Sequence, residues 1–235
     1  MKKKLLFIFI FSSSFLIAQK DKTDKNAGSN FHWISEQWVI APCGGQFHPD
    51  LNAFNDEMTK EGAKSVFFLG LRGYGLTVAQ PINLSQHGGE FDGSFAFNYL
   101  TNYKVSIGNK TKPDSLTYEM RGWDFMTSCF GKDVIPGKTV ALVLAPGIDW
   151  GSLRMVRTLN GLGTLYRNFY IAPLARAELR FVFGPVALGA RAIYRYDLTN
   201  EDWKLKKGPT YALPGTKNTG TSIEFFVGWG HVRFQ

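Results

Sequence analysis

From residue 93 onward the chain alternates apolar and polar side chains over segments long for ordinary strands, which predicts β-structure with two unlike faces. In Gly93 to Val105, Phe95, Phe97, Tyr99, Tyr103 and Val105 share one side, opposite Ser94, Ala96, Asn98, Asn102 and Lys104. In Thr139 to Trp150, Val140, Leu142, Leu144, Ile148 and Trp150 oppose Thr139, Ala141, Ala145, Gly147 and Asp149. Phe169 to Phe183 sets Ile171, Leu179 and Phe181 against Tyr170, Arg176, Glu178 and Arg180. After Gly184-Pro185, Val186 to Thr199 sets Val186, Leu188, Tyr194 and Tyr196 against Arg191, Arg195 and Asp197. Ser65 to Ala79 and Leu116 to Phe130 alternate less regularly, and Thr221 to Gln235 closes the chain. In that last segment Val232 and Phe234 disturb the face begun by Ile223, Phe225, Val227 and Trp229, so a bulge is expected there. Seven segments leave an antiparallel barrel one strand short, and Phe31 to Ala41 supplies the eighth.

Alternation does not say whether the apolar face turns inward, as in a soluble lipocalin-like barrel binding an apolar ligand, or outward into lipid. Arg176, Glu178, Arg180, Arg191, Arg195 and Asp197 gather on the polar face of two adjacent segments. Opposite charges so placed pair inside a narrow barrel, where a lone buried charge is prohibitive. Trp150, Tyr194, Tyr196, Trp203, Trp229 and Phe234 fall toward segment ends, as in an aromatic girdle at the membrane interface. Both features favour lipid. With Phe31 to Ala41 as first strand, Pro42 to Lys64, Ser106 to Ser115, Gly151 to Arg167 and Asn200 to Gly220 become long outside loops. The other end receives Gln80 to Asp92, Gly131 to Gly137 and Gly184-Pro185. The expected fold is an all-β, antiparallel, up-and-down transmembrane β-barrel of eight strands. A short helix over Asp50 to Lys60 sits in its first loop.

On the Arg176-Ala177-Glu178-Leu179-Arg180 pattern, the stretch Tyr194 to Thr199 and the aromatic C-terminal strand with Phe234, residues 31–235 resemble the small outer-membrane β-barrel proteins of diderm bacteria, the class that includes the outer-membrane protein A transmembrane domain. That class typically ends on an aromatic residue read by the insertion machinery, whereas here Gln235 follows Phe234. The resemblance implies outer-membrane lipid and the assembly machinery as partners and defines a class rather than an activity.

The start of the chain agrees with export. Lys2, Lys3 and Lys4 precede the apolar run Leu5 to Phe11, and Leu16-Ile17-Ala18 offers a cleavage site, so residues 1–18 read as a signal peptide and residues 19–30 as a flexible polar lead-in. The run is too short for a membrane-spanning helix of about 20 residues. The formal net charge of +8 includes those three lysines, and no basic cluster interleaved with aromatics points to nucleic acid. Cys43 and Cys129 are too few for a disulfide scaffold and are expected at opposite barrel ends, Cys43 in a loop.

Chemistry is sparse. Ser85-Gln86-His87-Gly88-Gly89-Glu90 contains the residue types of a hydrolytic triad and an oxyanion loop, but sequence neighbours rarely converge so, and a Gly-rich turn explains them. His231 is expected at the same rim. Cys43, His48 and Asp50 match no zinc spacing, so no metal or cofactor is expected. Eight strands leave an interior that side chains nearly fill, so the charges read as a structural plug first and an anion-binding strip second. The expected function is a non-enzymatic outer-membrane barrel with an envelope-structural or surface-interaction role. A lipid-modifying hydrolase or acyltransferase and a narrow small-solute channel are the alternatives.

Overall fold

The computed structural model describes residues 37–60, 70–83, 90–101, 105–107, 116–135, 139–199, 203–208 and 217–232. The expected signal peptide, the lead-in, Phe234 and most of the Ser85 to Glu90 stretch lie outside them. Eight long strands form the wall: β1 (Gln37–Asp50), β2 (Leu71–Asn83), β3 (Glu90–Thr101), β5 (Leu116–Asp133), β6 (Val140–Leu159), β7 (Leu162–Phe183), β8 (Val186–Arg195) and β10 (Lys217–Val232). The short β4 (Val105–Ile107) pairs with β5 and the short β9 (Lys204–Lys207) with β7, while helix α1 (Asn52–Lys60) follows β1. Every wall strand pairs antiparallel with its neighbours, the first with the last, and the β3–β5 pairing closes the circle. The fold is therefore all-β, a closed eight-stranded antiparallel barrel of the transmembrane type. No helix among the described residues is long and apolar enough to cross a membrane, which does not bear on strands.

The strands are longer than expected at the loop end. Residues 42–50 form strand rather than loop, because the glycines that interrupt the pattern serve the wall. A Cβ on Gly45 would lie 2.7 Å from Glu224 Cγ, so only glycine admits that side chain across the strand pair. Residues 151–167 are also not a loop. β6 and β7 pair without a break to Leu159 and Leu162, joined by Asn160-Gly161 with φ of 52° and 78°, as a type I′ hairpin turn demands. Within the expected last loop, 200–220, the described residues include β9 and the start of β10.

The bulge expected near Val232 is absent; the register shifts instead at the head of β10, where Asp50 meets Lys217 just after Pro49 meets Gly220, and within β5. The β1–β10 register runs unbroken from Pro49↔Gly220 to Gln37↔Val232, and Val232 simply joins Ser222, Glu224 and Phe226 on the inner face. In β5 the register shifts between Ser128 and Lys132, and Cys129 and Phe130 both point outward, Phe130 at φ 72°. The extra residue switches the inward positions from Asp124, Met126 and Ser128 to Gly131 and Asp133.

The outer face is apolar. Ile223, Phe225, Val227 and Trp229 on β10 and Val186 and Leu188 on β8 are exposed, as are Tyr194 at its end and Tyr196 just beyond it. Tyr196 still donates its N–H to the Pro173 carbonyl, so the pairing outlasts the strand. Val186 to Tyr196 rises about 33 Å along the chain, or roughly 25 Å along the axis at a tilt of about 40°, the height of an outer-membrane barrel's apolar band.

Candidate functional site: a charged layer between two apolar plugs

The barrel interior is stacked in layers set by the pleat. At the short-turn end Val39, Ala41, Ala79, Val182, Ala187, Phe226 and Val232 pack together. At the loop end Phe47, Leu71, Leu100, Met120, Leu153, Met155 and Tyr166 form a larger cluster, roofed by Leu51 and Trp203. Between them lie four arginines (176, 180, 191, 195) and five carboxylates (Asp92, Asp124, Asp149, Glu178, Glu224), every one buried.

The arginines come from β7 and β8, four apart on each strand so that all point inward, and they meet acceptors on their own and adjacent strands as well as from across the barrel. Arg180 makes a bidentate contact with Asp92, Nη1 to Oδ2 at 2.5 Å and Nη2 to Oδ1 at 2.8 Å, and pairs through Nε with Glu178. Arg176 donates Nη1 to Glu178 Oε2 at 2.6 Å and Nη2 to Asp92 Oδ1 at 3.1 Å. Arg191 donates Nε and Nη2 to Glu224 Oε2 at 2.8 and 2.5 Å, and Nη1 to Thr77 Oγ1 at 2.7 Å. Arg195 lies 2.5 Å from Asp149 through Nε, donates Nη1 to Ser222 Oγ at 2.8 Å, and stacks 4.5 Å from the Phe47 ring centroid. This network links strands β2, β3, β5, β6, β7, β8 and β10 by charge-assisted hydrogen bonds, the strong kind in a low dielectric.

Of the expected charge cluster, Arg176, Glu178, Arg180, Arg191 and Arg195 belong to this one layer, and Asp197 does not. Asp197 is buried at the loop end, where it accepts N–H donations from Thr199 and Asn218, both at 2.8 Å, and the Thr199 hydroxyl. It ties the tail of β8 to the head of β10. Its parity was legible, but its height above Arg195 puts it beyond the arginines. The acceptors absent from the expected cluster are Asp149 and Glu224, which alternation sets on the polar side of their segments, Asp92, expected in a turn, and Asp124, whose strand the bulge makes irregular. For the last two the signal was the polar-face parity of Ser94 and Asn98, extended two residues down for Asp92 and carried across the pairing for Asp124.

Cys43 is also in the lumen, not in a loop: it donates to Asn98 Oδ1 at 3.3 Å and lies 3.6 Å from Arg191 Nη2. Cys129 is exposed on the outer wall, and both are free thiols. No group of three or more metal-ligating side chains converges among the described residues.

The aromatic positions divide. Trp229, Tyr194 and Tyr196 are exposed on the outer wall. Trp150 also points outward, edge-on to Trp123 at 5.4 Å, next to the cross-strand row Tyr74–Tyr99–Trp123. Trp203 is 8% exposed and belongs to the interior cluster, a correction to its expected place in the girdle. The next residue, Lys204, faces out opposite Arg167, so period two turns Trp203 in. His231 is exposed at the short-turn rim, across from Trp38.

An apolar, aromatic outside around an ion-paired inside defines the class: a small β-barrel of membrane-spanning type. No protein-family model matches the chain, and no curated protein sequence matches it. Among solved structures, the crystal structure of Neisserial surface protein A (NspA) aligns with 85% of this chain and 98% of its own, at 14% identity and a TM-score of 0.39. The fold assignment rests on the chain's own register, not on that likeness.

Proposed function

We propose that this protein is a non-enzymatic outer-membrane β-barrel, exported by residues 1–18, held by a lipid-facing apolar band and serving an envelope-structural or surface-interaction role. The carrying observation is the inversion of the two faces. Large apolar side chains stand exposed on the outer wall, while charged side chains are buried and paired within it. A soluble barrel has no reason to spend its interior on arginine and its surface on Trp229 and Phe225. The two apolar clusters that close off the charged layer support an anchor rather than a diffusion pore. Its partners on this reading are outer-membrane lipid, the assembly machinery and other envelope proteins.

Membrane fractionation combined with heat-modifiable gel migration tests the anchor. The expected result is a membrane-bound mature chain that migrates faster unheated than boiled. A water-soluble mature chain overturns the reading. Planar-bilayer recording is expected to show no reproducible unit conductance, and a steady one overturns the sealed interior.

A further inference from the structure

Immediately beyond the aromatic row Tyr74–Tyr99–Trp123, the next outward positions across the same strands are basic. Arg72 faces Thr101, Thr101 faces Arg121, Arg121 faces Arg154, Arg154 faces Arg167, and Arg167 faces Lys204. In an antiparallel pair, directly opposed residues share a face, with Cβ atoms about 5 Å apart. Arg121, Arg154 and Arg167 therefore stand shoulder to shoulder on β5, β6 and β7. Directly opposed like charges destabilise a sheet, so this row carries a standing cost that the fold does not require. The single carboxylate among the described residues beside it is Glu119, which accepts Arg121 Nε at 2.5 Å and serves only that one guanidinium. Arg167 has turned Nε onto Ser152 Oγ at 2.8 Å, a neutral acceptor, and makes no ion pair among the described residues.

The row also has a shaped surface. Arg121 and Arg154 cross an open groove of about 460 Å³, lined by Tyr99 and Trp123 on the membrane side of the row and by Val156, Leu165 and the Arg121-bound Glu119 on its loop side. Aromatic rings lie below the arginines, and the groove sits on the outer wall at the upper edge of the apolar band.

We infer that the arginine row Arg121–Arg154–Arg167 and the aromatic side chains beneath it, Tyr99 and Trp123, bind a membrane lipid whose headgroup carries a phosphate monoester, at the loop-end leaflet. Guanidinium forks match phosphate oxygens in pairs, and a phosphate seated among the three removes their mutual repulsion. An acyl chain against Tyr99 and Trp123 supplies what a free anion lacks. The site deepens the anchoring role and rests on the membrane reading, because only a bilayer places headgroups at this height.

The test uses the full mature chain reconstituted in vesicles of phosphatidylcholine alone, with added phosphatidic acid, or with inorganic phosphate in the buffer. Bound lipid is counted by native mass spectrometry and stability by the temperature at which heat-modifiable migration is lost. The wild type is expected to retain phosphatidic acid selectively and to melt higher in its presence. Enrichment falls roughly fivefold for each arginine removed in Arg154→Gln and Arg121→Gln/Arg154→Gln/Arg167→Gln, with no loss of melting temperature in pure phosphatidylcholine. Should the triple variant fail to insert, Arg154→Gln decides. Equal enrichment in wild type and variant overturns the site, and so does an equal gain from inorganic phosphate, which assigns the row to free anions. A chain that does not enter vesicles of any composition refutes instead the anchor itself.

Discussion

The same residue type is used in two opposite ways on the two faces of the wall. Inside, Arg176, Arg180, Arg191 and Arg195 each meet a carboxylate within 4.0 Å, fully buried and multiply hydrogen-bonded. Outside, Arg121, Arg154 and Arg167 meet each other across three strands. The inner set is self-sufficient: its acceptors arrive from β3, β5, β6, β7 and β10, so the network forms only when the barrel closes. In the outer set only Arg121 meets a carboxylate among the described residues, Glu119 on its own strand. The difference teaches that burial forces a protein to supply its own counter-charges, whereas the membrane surface permits it to leave them to the lipid.

The largest contrast is all-or-none. Cys43 sits inside the inner network and Cys129 on the outer wall, so in folded protein held in neutral detergent a small maleimide should modify Cys129 and spare Cys43. Both should react once the chain is unfolded. Two modified thiols in the folded state, counted by intact mass, would mean that the charged layer is open to solvent.

The next effect tests how committed the inner charges are. Glu178 serves Arg176 and Arg180 and lies 4.0 Å from Arg191 Nη1, so Glu178→Gln leaves buried guanidinium charge without its partner. The expected loss is about 3–5 kcal/mol, the cost of stripping one member from a buried ion pair. Urea titration of heat-modifiable migration measures it. An unchanged midpoint would place Glu178 in water. Replacing Glu178 and Arg180 together with apolar residues of similar size should recover much of the loss, because then no orphan charge remains.

Much of this interior was legible from period two alone, because β6, β7 and β8 alternate without interruption and their polar faces are the lumen. What was hidden had local causes. In β1, Pro42, Gly44 and Gly45 imitate a loop, although Gly45 is small because Glu224 must pass it. In β5 the bulge at Cys129-Phe130 flips the parity, so Asp124 and Asp133 cannot both be assigned inward by counting. The long β6–β7 hairpin was signalled by Asn160-Gly161, a dipeptide that demands its turn wherever it joins two strands. The outer arginine row was invisible for a different reason. Arg121, Arg154 and Arg167 lie far apart in sequence, and only the pairing register makes them neighbours.

The smallest effect carries the sharpest sign. Arg154 is the middle of the outer row, opposed by an arginine on each side, and it makes no ion pair among the described residues. In an uncharged detergent at low salt, Arg154→Gln should therefore leave stability unchanged or raise it by about 0.5 kcal/mol, since it removes repulsion and little else. Salt gives an independent check. The Debye length falls to about 3 Å at 1 M, shorter than the about 5 Å between directly opposed Cβ atoms, so the wild type should gain on the variant as salt is added and the two midpoints should converge. The inner layer is shielded from the same ions by the wall and should show no such convergence when Glu178→Gln is titrated alongside. A drop of several kcal/mol for Arg154→Gln would mean that the outer arginine is as deeply committed to the fold as Arg180, and the contrast between the two faces would be gone.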